Sequence, residues 1–381
     1  MRICLVYDCL YPYTVGGAER WYRSLSERLA AEGHEVTYVT LRQWARGERP
    51  DVPGVEVVAV GPRLTLYDGA RRRIAPPIVF GAGVLAHLLV RGRRYETVHT
   101  ASFPYFSLLA AAAVRRVGRY RTFVDWLEVW TKEYWQDYLG GIGGSIGWRI
   151  QRRCIRLRQH AFCFSHLHAE RLRDEGFRGE LTRLEGAYEG DPTPREPLPA
   201  EPRVVFIGRH IPEKRAPAVV AAVAEAREQL PELRATIFGD GPERAAVLAE
   251  IEELGLGDAV DAPGFVGGDV VDEALRRALC LVHPSRREGY GLVVVEASAA
   301  ATPTVVVRGP DNASTELVAE GENGYIADSA EPAVLAAAIL RVHAAGDALR
   351  RSTAEWFRRN AERVSLARAL ETVVAAYRAT G

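Results

Sequence analysis

The chain has 381 residues, room for two domains or slightly more at roughly 150 residues each, and every domain of that size can bury its own core. Hydrophobic residues at 48 % and charged residues at 26 % exclude a disordered or fibrous protein, and 49 Lys+Arg against 49 Asp+Glu give no reason to expect a nucleic-acid partner. Cys4, Cys9, Cys154, Cys163 and Cys280 are odd in number, scattered and without a CxxC pair. They read as reduced thiols of a cytoplasmic protein rather than as a disulfide or zinc framework. The first residues carry too short an apolar run for a signal peptide.

In chain order, apolar runs at 3–7, 36–40, 55–60, 97–99, 122–126, 161–164 and 181–184 are expected to be strands. Helical patterns lie between them, for example at 17–31, 104–117 and 145–160. The apolar stretch 74–90, bracketed by arginines, contains Pro76, Pro77 and His87 and is too short for a comfortable membrane span. It is expected to be a helix packed on the core. Five prolines among residues 190–202 mark a linker. The second half repeats the alternation, with strands at 204–207, 234–238, 259–261, 280–283, 304–307 and 324–327, and helices running to about 229 and over 243–254. Residues 355–379 form a last helical segment that could return to either domain. The pattern predicts an α/β protein of two Rossmann-like domains, 1–192 and 193–360, with parallel sheets facing across a cleft and a C-terminal helix at about 361–381 that can pack back on the first. Ligands of such sheets bind at the carboxyl ends of the strands.

Three segments carry chemistry. The run from His283 through Glu288, Gly289, Tyr290, Gly291 and Leu292 to Glu296 ends a strand and opens a helix. Its glycines allow a ligand to approach the backbone, and the helix start offers unpaired N–H groups to a diphosphate. Glu288 and Glu296 could bracket an elongated ligand through hydroxyl groups; read apart from their surroundings they are two solvated glutamates at a corner. The second segment follows a strand with Gly208, Arg209 and Lys214, one of only two lysines against 47 arginines. An ammonium beside a guanidinium suits a leaving diphosphate, and taken alone the pair is also an ordinary loop cap. The third, Tyr11 to Glu19 with Gly16 and Gly17, is a glycine-rich strand-to-helix turn without the dinucleotide pattern; packing alone would also account for it.

Taken together these segments resemble family 4 glycosyltransferases of GT-B fold. The resemblance covers nearly the whole chain: the Gly16–Glu19 turn, the strand 95–99, the strand 162–165, the Gly208–Lys214 loop, 238–242, 263–266 and the diagnostic run 283–297. It implies transfer of a sugar from a nucleotide diphosphate sugar to a hydroxyl or amine, with retention, no cofactor and no metal; no D-x-D element is present. Carried over by position, Arg209, Lys214 and Glu288 would be catalytic. Arg209 and Lys214 would hold the diphosphate, Glu288 the donor-sugar hydroxyls and Glu296 the ribose. Gly208 belongs to the same donor-binding loop, Gly289, Tyr290, Gly291 and Leu292 would supply the helix start, Phe265 and Val266 would flank the base, and Gly16 and Gly17 would close over the donor.

The pattern breaks at Leu127, where the family carries histidine, at Glu185, and at Ala301, where glycine is usual. Leu127 leaves three readings: a dispensable histidine, a donor lacking a hydroxyl such as a pentose or 6-deoxy sugar, or a pseudo-glycosyltransferase. A sugar-nucleotide epimerase or a binding protein on the same fold is the remaining alternative. The acceptor, a small molecule, glycan or lipid-linked sugar, is expected at Asp125, Leu127, Glu128 and Trp130, beside Trp126, Tyr134, Trp135 and Tyr138. The basic stretch 148–158 is read as a solvated helix face, with peripheral contact to the inner face of a membrane as the alternative. Residues 1–192 carry 28 Lys+Arg against 21 Asp+Glu, so a basic half is joined to an acidic one. The oligomeric state is left open.

Overall fold

Strand-forming runs buried on both faces need helices on both sides, and both halves of the chain build that layering. The structure, a computed structural model, describes residues 1–69, 71–193 and 195–379; Pro194 of the linker and the last two residues of the expected C-terminal helix lie outside them. The chain divides into two compact units, 1–185 with 369–381, and 186–368.

In the first unit, β1 (Arg2–Val6), β2 (Glu35–Thr40) and β3 (Val55–Ala59) precede a two-residue hairpin of β4 (Tyr67–Asp68) and β5 (Arg71–Arg72), and β6 (Thr97–Ala101), β7 (Arg121–Asp125), β8 (His160–Cys163) and β9 (Glu180–Arg183) follow. Apart from the hairpin they form one sheet in the order β3-β2-β1-β6-β7-β8-β9, and its strands are parallel. Helices α1 (Gly17–Ala31), α2 (Ala75–Arg91), α3 (Tyr105–Gly118), α4 (Lys132–Ile155) and α5 (His166–Asp174) are the crossovers. The core sets Cys4, Val6 and Val98 of the sheet against Phe80 and Val84 of α2 and Val114 of α3.

The second unit holds β10 (Arg203–Ile207), β11 (Arg234–Phe238), β12 (Val260–Gly264), β13 (Cys280–His283), β15 (Thr304–Val307) and β17 (Gly324–Ala327), parallel and in the order β12-β11-β10-β13-β15-β17. β14 (Arg287–Glu288) pairs separately with β16 (Asp311–Asn312). Its helices are α6 (Ala216–Arg227), α7 (Arg244–Glu253), α8 (Gly268–Arg277), α9 (Leu292–Ala299) and the long α10 (Pro332–Val364). Both sheets reverse strand order once, between β1 and β6 and between β10 and β13, the switch points at which open α/β sheets receive ligands.

The last helix, α11 (Leu366–Ala379), joins the first unit, where Tyr377 is fully buried and its hydroxyl lies 2.5 Å from His99 Nδ1. The expected core packing of 74–90 holds for one face of α2; its other face is exposed. Helix α4 begins well before the expected 145 and runs through the glycines after Leu139, kinked at Gly140.

Candidate active site

The second unit brings its expected residues to one switch point. β10 ends at Ile207 and delivers Gly208 and Arg209; a short 3-10 turn (Pro212–Lys214) then presents Lys214. His210 N–H donates to Asp240 O at 2.8 Å and Glu243 N–H to His210 O at 2.8 Å, so the Gly239–Glu243 segment after β11 fixes this loop. β13 ends at His283, and β14 places Glu288 beside it. Lys214 Nζ and His283 Nε2 both donate to Glu288 Oε1, the latter at 2.5 Å. An ionised carboxylate only accepts, so the imidazole presents its N–H from Nε2. Glu288 is buried, and burial alone would raise its pKa. The Lys214 ammonium and His283 overturn that and hold the carboxyl well below the usual range.

Arg209 is exposed and makes no ion pair or side-chain hydrogen bond among the described residues, so its guanidinium is available to an anion. Gly291 (φ +97°) caps α9 in the left-handed region, ahead of the N–H groups that begin at Leu292. Gly289, Tyr290, Leu292 and Glu296 are half-buried around that helix start, Glu296 one turn inside it. Phe265 and Val266 follow β12, and Phe265 is exposed. Sequence reasoning missed Asn312. Its amide Nδ2 donates to Ser285 O and Val307 O at 2.9 and 2.8 Å, and its Oδ1 accepts from the Ser314 N–H and hydroxyl, so one buried side chain ties the Glu288 turn to the end of β15. Its only signal in the sequence is an Asn two residues before a serine, the spacing of an Asx turn.

In the first unit the expected residues separate. Asp125 is fully buried; Trp21 Nε1 donates to its Oδ2 at 2.8 Å and His99 Nε2 lies 2.9 Å from its Oδ1. It is a structural carboxylate with no surface for an acceptor, which corrects the expectation. Trp126, Tyr134 and Trp135 are likewise buried in the core. Leu127, Glu128 and Trp130 remain half-buried at the carboxyl edge of the sheet, with Trp130 Nε1 donating to Glu128 Oε2 at 2.7 Å. The Trp130 ring is held among Phe103, Tyr134 and Tyr138, and Gln151 locks its backbone from both sides. Gly16 caps α1 from an extended conformation, and the Glu19 carboxylate folds over it, so this helix start already carries an anion of its own. Asp8, at the end of β1, pairs with Arg72, whose guanidinium lies 5.1 Å from the Phe103 ring; neither residue was expected.

All five cysteines are free and buried, and burial pushes the Cys154 and Cys280 thiols up to about 12, so neither is a nucleophile at neutral pH. In the stretch 148–158, Arg152 pairs with Glu175 at 3.0 Å and lies over the Trp148 ring. Among the described residues no group of three His, Cys, Asp or Glu could hold a metal.

Residues 16–185 match the glycosyl transferase 4-like domain family, and residues 194–363 match the family of glycosyl transferases group 1. The chain is 35 % identical over 150 residues to a D-inositol 3-phosphate glycosyltransferase of Acidothermus cellulolyticus, covering 36 % of this chain and 33 % of that protein. It spans between 14 and 33 % of the length of three curated relatives it matches at 33–35 % identity. Sucrose-phosphate synthase from Thermosynechococcus elongatus superposes with a TM-score of 0.81 at 19 % identity over 100 % of this chain and 98 % of that one. Anabaena HepE, solved with UDP-glucose, does so with 0.74 at 16 % identity over 100 % of both chains. At those identities the structural likeness speaks for the fold. The two domain families, in this order on two parallel-sheet Rossmann-like units, place the chain among the glycosyltransferases of GT-B type.

Proposed function

We propose that the chain transfers a sugar from a nucleotide diphosphate sugar to an acceptor hydroxyl or amine with retention of anomeric configuration and without a metal. The observation that carries this reading is the Lys214–Glu288–His283 cluster at the switch point of the second sheet, with Arg209, unpaired among the described residues, on the loop that carries Lys214. Arg209 and Lys214 supply two positive charges for a diphosphate whose negative charge grows as the C1–O bond breaks. Glu288, kept ionised, accepts hydrogen bonds from donor-sugar hydroxyls and orients the ring. Glu296 lies one helical turn further on, suited to ribose hydroxyls. As the acceptor oxygen or nitrogen bonds to C1 on the face the diphosphate leaves, its proton passes to the departing phosphate oxygen, so no protein base is required. A nucleotide donor is in keeping with the UDP-glucose bound by Anabaena HepE, and sugar transfer with the names of the inositol-phosphate glycosyltransferases.

The test is a screen of nucleotide diphosphate sugars, with and without chelator, reading nucleoside diphosphate release and the anomeric coupling of the product by NMR. Pentose and 6-deoxy donors belong in it, because Leu127 offers no hydrogen-bonding group where the resembled segment has histidine. Inverted product, or activity abolished by chelation, would sink the proposal; donor converted to an isomer without acceptor would favour an epimerase.

A further inference from the structure

Helix α2 exposes a face without a polar residue. Positions 78, 79, 82, 85, 86, 89 and 90 are all exposed, at the spacing of one continuous helical face, and all are apolar; Ile78 is 49 %, Leu89 59 % and Val90 83 % exposed. A surface helix of a globular protein ordinarily turns polar side chains outward, so this face lacks its partner. The opposite face is committed: Phe80, Val84 and Leu88 are buried in the core of the unit. A Cβ on Gly83 would stand 2.0 Å from Val60 O, so the helix backbone rests directly on the chain leaving β3. A helix held this way cannot leave to span a bilayer, and 17 residues reach only about 25 Å.

The charge around the face selects its occupant. No acidic residue occurs between Asp68 and Glu96, whereas Arg73 precedes the helix and Arg93 and Arg94 follow it; Arg91, its last residue, pairs with Glu56 at 3.3 Å. Arg73, Arg93 and Arg94 are exposed, as are Arg116 and Val117 of the neighbouring α3. The unit as a whole carries 29 Lys+Arg against 20 Asp+Glu, a net +9. A second copy of the face would set arginine ends against arginine ends in either orientation. An anionic lipid surface accepts both parts: apolar side chains in the boundary between headgroups and acyl chains, and arginines on the phosphates.

We propose that the outer face of α2, with its flanking arginines, is a membrane-interfacial surface that seats the first unit on anionic lipid. This goes beyond the expected 148–158 stretch and is independent of whether the chain transfers sugar. The experiment is co-sedimentation of the full chain with phosphatidylcholine vesicles, with or without phosphatidylglycerol, at low and high salt. Wild type is expected to sediment with the anionic vesicles at low salt and to be released by salt. Leu85→Asp with Leu89→Asp should lower the bound fraction about tenfold or more, and Arg93→Ala with Arg94→Ala about tenfold, with unchanged melting temperature in both. Wild type that ignores anionic vesicles overturns the proposal, as does undiminished binding by a folded Leu85→Asp, Leu89→Asp protein. A wild-type dimer dispersed by that double substitution, with no vesicle binding, overturns it in favour of a second copy.

Discussion

Glu288 is 8 % exposed, and a carboxyl so placed stays charged only because Lys214 and His283 outweigh its desolvation. The folded pKa therefore lies below the unfolded one, and the sign of the linkage follows. The stabilisation is fully present above the unfolded value, about 4.3, and is lost as pH falls through the lower folded value. Urea midpoints of wild type and Glu288→Gln should differ most near neutrality and converge as pH drops below about 4; a gap that does not change with pH would show that no ionised carboxylate is held there. Lys214→Ala leaves Glu288 buried beside His283 alone and takes a cation from the leaving group. Turnover should fall by roughly 10²–10³, more than donor affinity does, read from nucleoside diphosphate release against donor concentration. Both residues were legible in the sequence because they lie in short contiguous motifs. Asp8–Arg72 and Asn312–Ser285 were not: their partners are 64 and 27 residues apart, and only the folded sheet edge brings them together.

At the scale of elements, the end of α9 explains a departure that the sequence only flagged. Ala301 N–H donates to Ser298 O at 3.0 Å and Thr302 N–H to Ala297 O at 2.8 Å, a Schellman ending whose left-handed residue is Ala301, at φ +58°. An L side chain in that region costs about 1–2 kcal/mol, partly offset because glycine loses more backbone entropy on folding. Ala301→Gly is thus expected to stabilise the second unit by about 0.5–1 kcal/mol, visible as a raised urea midpoint at unchanged slope; a lowered midpoint would count against the left-handed geometry. Strand positions were legible because central parallel strands are continuous apolar runs, and most observed ends fall within two residues of the expected ones. The expected start of helix α4 at 145 follows Gly140, Gly141, Gly143 and Gly144, residues that disfavour a helix interior. In the structure the helix does break at Gly140, whose φ of +78° is non-helical, while a Cβ on Gly144 would stand 2.3 Å from Trp135 O. Glycine there serves close packing, which local propensity cannot distinguish from a stop.

For the whole molecule, the division of the chain decides what can fold alone. The first unit is completed only by α11, which sequence reasoning could assign to either half because its apolar stripe does not name the surface it covers. Leu370, Val373, Val374 and Tyr377 are buried, with the Tyr377 ring 4.6 Å from Phe123. Four such side chains at about 1.5–3 kcal/mol each amount to roughly 6–12 kcal/mol, comparable with the entire 5–15 kcal/mol stability of an ordinary domain. Fragment 186–368 keeps its six-stranded sheet and its long helix, and should unfold cooperatively and be stabilised by a nucleoside diphosphate through linkage. Fragment 1–185 lacks α11 and should be largely unfolded until a peptide of residues 366–379 is added. Circular dichroism melts of the two fragments, with and without that peptide, decide the matter. A fragment 1–185 that melts as sharply alone as with the peptide would show that α11 decorates the first unit rather than completes it.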